Sequence, residues 1–283
     1  MEIAIISGKG GTGKSMISAA LATIGHEVVL ADCDVDAANL HLLFDPIITE
    51  EQKFVSGQKA VIDRDLCTDC GICIDYCRFD AIHEVDGTVL IDEISCDGCE
   101  LCARVCPTEA ISMIQEDESR LYAGNFRKGK MVYGRLAPGE ENSGRLVELV
   151  RSKAKQIAEN NKIDTIIIDG PPGIGCPVIS SITGADKVIV VTEPTLSGLH
   201  DLKRTLEIVA NFGIETQVII NKYDLNEAMT ENIEVFCAKQ QVNIAGKIAF
   251  DPRAIEAMIH KQSIVEYAPE SEAARVINEV LRN

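Results

Sequence analysis

Positive charge is scarce in this sequence. Lys and Arg number 27 against 44 Asp and Glu, a net charge of −17. That balance argues against general binding to nucleic acid or to anionic membrane surfaces. Long apolar runs are missing as well. No stretch of about eighteen apolar residues occurs, so nothing is suited to spanning a bilayer. The opening MEIAIIS has no basic leader, so no secretory signal is expected there and the cytoplasm is the expected compartment. Tryptophan is absent, although the apolar content of 46% is ordinary for a globular protein. The five histidines show no ligand spacing. Cysteine breaks the pattern of scarcity, with eleven. A reducing compartment disfavours disulfides, and metal binding is the expected use of so many thiols.

A chain of 283 residues can hold one large α/β domain or two domains. Ile3 to Ile6 reads as a buried strand, followed by a glycine-rich loop and a helix from about Lys14 to Ile24. EVVLADCD reads as a second buried strand. The pattern breaks after Phe44, and from about Lys59 to Gln115 the composition turns to Cys, Asp and short apolar pieces. Alternation resumes near Ser143: RLVELVRSKAKQIAEN is helical, and TIIIDG, KVIVVTE and TQVIIN are short apolar strands. Strands alternating with helices imply a parallel sheet with right-handed crossovers. The expected architecture is a doubly wound, mainly parallel α/β host over 1–58 and 116–283, interrupted by a small insert over 59–115. RLYAGNFRKGKMVYGR reads as an exposed hairpin, or else as a docking surface for an acidic partner. The apolar stripe of the final EAARVINEVLRN reads as core packing.

SGKGGTGKS, Ser7 to Ser15, lies between the first strand and the first helix. A loop of this kind closes backbone N–H groups around phosphates, and the helix N-terminus adds positive partial charge. Gly8, Gly10, Gly11, Thr12 and Gly13 would form that cradle, Lys14 would reach the β- and γ-phosphates, and Ser15 would ligate Mg²⁺. Lys9 is surplus to this motif and could be a solvated loop residue. The form K-G-G-x-G-K-S, however, resembles the deviant Walker A loop of the MinD/Mrp/ParA ATPases and of the nitrogenase iron protein. The resemblance implies a P-loop NTPase fold and ATP or ADP with Mg²⁺ as cofactors. It also implies a homodimer on ATP binding, or a heterodimer with a paralogue. Lys9 would then reach the nucleotide of the partner subunit, as an arginine finger does in trans. In ADCDVD, Asp34 would position water and Mg²⁺, with Asp32 and Asp36 beside it. In IIIDGPPGIG, Asp169 would hold a Mg²⁺-bound water and Gly173 would sense the γ-phosphate. Asn221 would touch the base, with Phe250, Asp251 and Pro252 closing over it. INKYDLN also fits the guanine-reading motif of GTPases, in which Asp224 would accept from guanine. Adenine N1 is an acceptor and would be repelled there; the family resemblance points to ATP.

The cysteine-rich stretch contains a repeat. CTDCGICIDYCRFDAI begins at Cys67, and CDGCELCARVCPTEAI begins 29 residues later at Cys96. Each holds C-x-x-C-x-x-C-x-x-x-C, which resembles bacterial ferredoxins, whose fourth cysteine ligates the other cluster. The resemblance implies a bacterial-ferredoxin-like α+β insert with two 4Fe–4S clusters. One would take Cys67, Cys70, Cys73 and Cys106, the other Cys96, Cys99, Cys102 and Cys77. Structural zinc fits less well, because it favours separated C-x-x-C pairs. Cys77 is followed by Arg78 where ferredoxins commonly have Pro; Arg78 would raise one cluster's potential or pair with an acid. Cys33 and Cys237 read as small buried residues. Cys176 sits seven residues after Asp169, where the nitrogenase iron protein has a cluster-bridging cysteine; the alternative is an inert thiol.

The motifs together suggest an ATP-gated electron carrier serving a partner protein. A second reading is iron–sulfur or metal-cofactor assembly of the Mrp type. Those carriers use a C-terminal C-x-x-C, against which this chain has the lone Cys237. A third, MinD-like positioning at a membrane, would need a basic amphipathic tail that the last residues do not supply.

Overall fold

A computed structural model describes residues 1–140 and 143–280. The chain divides into two compact units. The larger takes Met1–Gln52, Leu121–Arg135 and the chain from Ser143 onward; the smaller takes Lys53–Arg120 and the stretch that begins at Leu136.

The larger unit opens with β1 (Glu2–Ser7), α1 (Lys14–Thr23), β2 (Val28–Asp32), α2 (Leu40–Phe44) and β3 (Ile47–Phe54). The smaller unit follows, with β4 (Gly57–Ile62), α3 (Ile72–Tyr76), β5 (Ile82–Val85), β6 (Thr88–Ile91), α4 (Leu101–Val105) and β7 (Ile111–Glu116). The chain returns through β8 (Ser119–Phe126), β9 (Gly129–Arg135), α5 (Ser143–Asn161), β10 (Ile166–Pro172), α6 (Cys176–Ile182), β11 (Lys187–Thr192) and α7 (Leu196–Ala210). It ends with β12 (Glu215–Asn221), α8 (Glu227–Lys239), β13 (Asn243–Ile248), α9 (Arg253–Ile259), α10 (Ile264–Tyr267) and α11 (Glu272–Val280).

One sheet of nine strands runs β13-β12-β11-β1-β10-β2-β9-β8-β3. The pairs from β13 across to β9 are parallel. The central strands β1 and β11 are buried at every position, as strands covered by helices on both faces must be. Their Ile and Val residues pack with Ile17, Leu21 and the small Ala19, Ala20 and Ala22 of α1. On α11, Ala273, Ala274, Ile277 and Val280 are buried, in line with the expected stripe; Leu281, Arg282 and Asn283 lie outside the described residues.

RLYAGNFRKGKMVYGR does not form an exposed hairpin. It supplies β8 and β9, and β9 pairs in parallel with β2 from Val28↔Gly129 to Asp32↔Tyr133. Leu121, Ala123, Met131, Val132 and Tyr133 are buried. The edge of β2 needs a backbone partner, and β9 of the hairpin provides it. Arg127 and Lys128 form the two-residue tip, where Arg127 donates to both carboxylate oxygens of Glu266 at 2.7 Å.

In the smaller unit β4 pairs antiparallel with β7, and β5 with β6. Its apolar centre holds Ala60, Ile82, Val89, Cys102 and Ile111. The sequence repeat is also a structural one. Left-handed backbone recurs at the 29-residue offset, at Asp69 and Gly98, at Gly71 and Glu100, and at Asp80 and Glu109. The unit begins six residues before the expected 59, because β4 and its lead-in pair with β7 and its exit.

Candidate functional site

The first site gathers at the C-terminal ends of the parallel strands, where open α/β sheets bind ligands. β1 runs into the loop Gly8–Gly13, which enters α1 with Gly13 left-handed at φ 89. No side chain caps the start of α1, so its first N–H groups face the loop without a partner of that kind. Thr12 Oγ1 is buried and has no hydrogen-bond partner. A bare helix start, a left-handed glycine turn and an unsatisfied hydroxyl fit a bound phosphate chain.

Lys14 lies at the centre of the loop's charge balance. Its Nζ is 2.9 Å from Asp169 Oδ1 on β10 and 3.6 Å from Asp34 Oδ2. Asp169 also accepts from Ser15 Oγ at 2.8 Å and from Ser18 Oγ at 2.7 Å. Burial works against the Lys14 charge, but Asp169 and Asp34 outweigh it and hold its pKa above the ordinary lysine value. Burial pushes the Asp34 carboxyl up, and Lys14 opposes the rise.

Asp32 lies opposite Asp169 in the β2–β10 register, so both carboxylates leave the sheet on one face. It accepts from the backbone N–H groups of Asp34, Asn39 and Leu40 at 3.2, 3.2 and 3.1 Å, and so holds the loop that carries Asp34. Burial, reinforced by the Asp169 charge, pushes its pKa up to about 7. An unfolded Asp titrates near 4. The protonated form is therefore favoured by folding, and this contribution is complete below about pH 4 and lost as pH rises through about 7. In protein free of nucleotide and Mg²⁺, the Asp32→Asn variant should lose part of the fall in thermal midpoint between pH 5 and pH 8. Parallel midpoint curves for the parent and the variant across that range would contradict this. Asp36 is exposed on the same loop and acts on Asp34 as a like charge.

The remaining expected residues ring the loop. Lys9 Nζ meets Glu193 Oε1 at 2.7 Å, Ser197 Oγ at 3.0 Å and Thr195 Oγ1 at 3.1 Å. Lys222 Nζ meets Gly11 O at 2.9 Å and Glu193 Oε2 at 3.1 Å. Asn221 Nδ2 donates to Thr12 O at 2.8 Å. Gly8 and Gly10 are in the loop, and a Cβ on Gly8 would lie 2.6 Å from Asp201 Cβ. Gly173 is left-handed at φ 99, and its N–H donates to Ser7 O at 2.8 Å. Asp224 Oδ1 accepts from Phe250 N at 2.7 Å. Asp251 is occupied by Arg253, whose Nη2 is 2.8 Å from Oδ2. Ser18, Glu193, Thr195 and Ser197 belong to none of the motifs above. Their signals are position: Ser18 follows Lys14 by one helical turn, and Glu193 follows a strand whose end faces the loop.

The second site lies in the smaller unit. A small cavity of about 20 Å³ is lined by Cys77, Cys96, Cys99 and Cys102, with Ala60 and Met113 among its apolar walls. Cys77 comes from the first repeat and the other three from the second. Burial lifts the Cys102 thiol above its ordinary range, and Cys96 and Cys99 add to the rise. In the other group, burial lifts the Cys73 thiol, and Cys106, Cys67 and Cys70 add to it. Cys106 is instead lowered: its burial is outweighed by hydrogen bonds from Thr108 and backbone groups, including Ala110 N at 3.3 Å from its Sγ. Among the described residues, no three His, Cys, Asp or Glu are close enough to hold a single metal ion as they stand. A thiol-lined, largely apolar cavity fits a larger polynuclear group in its donor chemistry. Cys33 and Cys237 are buried, and Cys176 is exposed at the start of α6. No described helix is long and apolar enough to cross a membrane.

Comparison with known proteins bears on the larger unit first. The CbiA family, the CobQ/CobB/MinD/ParA nucleotide binding domain, matches residues 3–264. The protein MJ0578 of Methanocaldococcus jannaschii is 39% identical over 229 residues, which span 80% of this chain and 79% of that one. An iron-sulfur cluster carrier protein of Pyrococcus furiosus is 24% identical over 302 residues, spanning 99% of this chain and 83% of its own. The fold is shared with the septum site-determining protein MinD of Pyrococcus horikoshii, solved in complex with Mg-ADP. That match has a TM-score of 0.57 at 21% identity and covers 99% of this chain and 93% of that chain. With the matched span covering most of the sequence and the phosphate loop in its expected place, the chain belongs to the CobQ/CobB/MinD/ParA family of nucleotide-binding P-loop ATPases.

Proposed function

We propose that this chain is a dimerising ATPase that gates an electron-carrying ferredoxin-like insert, residues 59–115. The observation that carries the reading is the cavity lined by Cys77, Cys96, Cys99 and Cys102, in a chain that also holds the Lys14–Asp169 loop. ATP phosphates would be received by the N–H groups of the loop from Gly10 to Ser15. Lys14 would exchange Asp169 for the β- and γ-phosphates, leaving Ser15 and Asp169 free to hold Mg²⁺, which would neutralise phosphate charge. Asp34 would orient the attacking water. Lys9 would complete the site of a second copy. The Asp224 carboxylate already accepts from Phe250 N, which favours a role in placing the Phe250 segment over reading guanine.

In the insert, Cys67, Cys70, Cys73 and Cys106 would hold one 4Fe–4S cluster, and Cys96, Cys99, Cys102 and Cys77 the other. Such clusters supply one-electron storage. The protein's own contribution would be to tie the halves together through Cys77 and Cys106. A second reading, delivery of iron and sulfide to other proteins, draws on the iron-sulfur cluster carrier relative. The test is oxidation of the reduced protein by a one-electron dye under argon. A non-hydrolysable ATP analogue should change the rate several-fold relative to ADP, and a GTP analogue should resemble ADP. Equal rates in all nucleotide states, with dimer formation confirmed, would remove the gating. Loss of iron to an added apo-protein, without electron transfer, would favour delivery.

A further inference from the structure

Lys59 is a buried cation in the smaller unit. An ammonium has three N–H donors, and Cys96 O, Glu116 Oε1 and Gly139 O receive them at 2.6, 3.3 and 3.4 Å. The shortest of these contacts ends on the first cysteine of the second repeat. The Lys59 and Glu116 side chains are 10% and 13% exposed, so little water screens the ammonium. The first repeat fills the corresponding places differently. The residue 29 positions after Lys59 is Thr88, which has no charge to set beside Cys67. Asp69, at the position that Gly98 takes in the second repeat, instead sets a carboxylate oxygen 3.7 Å from Cys67 Sγ and accepts from Val89 N at 2.9 Å. Its cation, Arg64, is 3.2 Å away, but that pair is 43% and 34% exposed and water screens it more. Of the acids in the second repeat's loop, Asp97 is exposed and Glu100 is occupied by Arg104 at 2.9 Å.

We propose that Lys59 makes the two cysteine groups unequal as electron holders. The group of Cys96, with Cys99, Cys102 and Cys77, holds an electron more tightly than the group of Cys67, with Cys70, Cys73 and Cys106. The inference rests on the reading that each group binds a 4Fe–4S cluster. A cation beside such a group favours its reduced, more negative state, and a carboxylate opposes it. Lys59 is a positioning residue: it holds the Cys96 carbonyl and acts by its charge, without touching a reacting atom. In a chain that has taken one electron from an external one-electron donor, that electron moves from the site of Cys67 to the site of Cys96. The first site is oxidised by one electron and the second reduced by one, with no bond, proton or ligand exchanged. The insert thereby acquires a direction.

A redox titration of the full chain under argon tests this, with dithionite as the electron source and the paramagnetic signals of the reduced groups as the readout. The parent should show two one-electron steps. Lys59→Gln should weaken the upper step about tenfold, about 60 mV for one electron, and leave the lower one in place. Glu116→Gln, which removes the carboxylate that offsets Lys59, should strengthen the upper step about threefold. Opposite shifts from two neighbouring substitutions are a readout that mere structural damage does not give. Asp69→Asn should strengthen the lower step about threefold, and it carries the test if Lys59→Gln loses iron. The inference is overturned, with cluster binding intact, if Lys59→Gln keeps its iron and moves neither step or only the lower one. It is equally overturned if Glu116→Gln shifts the upper step the same way as Lys59→Gln, or if Lys59→Gln loses iron and Asp69→Asn leaves the lower step unmoved. A parent with far less than about eight iron per chain would remove the cluster reading itself, and the inequality with it.

Discussion

Replacing Lys9 by Ala is expected to abolish ATP-dependent dimerisation and to lower hydrolysis by a factor of about 10³, the smaller end of what a cation supplied in trans contributes. Nucleotide binding by the single chain should survive, because Lys14, Ser15 and the loop N–H groups belong to the same subunit. Lys14→Ala should do the reverse and lose nucleotide first. The trans role also predicts complementation. A Lys9→Ala chain keeps its Asp34, and an Asp34→Ala chain keeps its Lys9. In a mixed dimer the second chain donates its lysine to the site of the first, and one site per dimer regains hydrolysis. The measurement is ATPase rate across mixing ratios, with dimer formation followed by light scattering. A rate that never exceeds the sum of the two variants alone, despite confirmed mixed dimers, would mean that Lys9 works within its own chain or not at all.

Protein purified without oxygen should contain about eight iron and eight sulfide per chain, the sum of two cubane clusters. The cavity at Cys77, Cys96, Cys99 and Cys102 draws one wall from the other repeat, so Cys77→Ala should remove about four iron while leaving the group at Cys67, Cys70, Cys73 and Cys106. Cys176→Ser should change neither figure, because Cys176 lies on α6 of the larger unit, outside both groups. Stoichiometric zinc, with no 4Fe–4S signal on reduction, would refute the assignment. A full iron content that fell on Cys176→Ser would instead point to a cluster at α6.

Much of this was legible in the residues because the physics is local. Ile3 to Ile6, Ile166 to Ile168 and Val188 to Val191 are continuous short apolar runs, as strands covered on both faces use. The phosphate loop and the cysteine repeat are legible because their chemistry needs fixed spacings. The hairpin of β8 and β9 reads as exposed because basic residues are spread along it, while its burial depends on β2, about a hundred residues away in sequence. Glu193 was invisible for a related reason. A single carboxylate after a strand carries no spacing signal, and its meaning comes from two lysines, Lys9 and Lys222, that folding brings to it. Asp251 shows the opposite case: its place in FDPRA is clear, yet its carboxylate is taken by Arg253.

The amide of Asn221 lies where a side chain at position 13 would have to go: a Cβ on Gly13 would fall 2.2 Å from Asn221 Nδ2. The backbone there is also left-handed, at φ 89, which disfavours any other residue. Two positions 208 apart in the chain thus share one volume. A lineage that enlarged residue 13 would first have to shorten residue 221, and it would lose the tie to the Thr12 carbonyl in doing so. The two sites can drift only as a pair, and each step taken singly passes through a poorer loop.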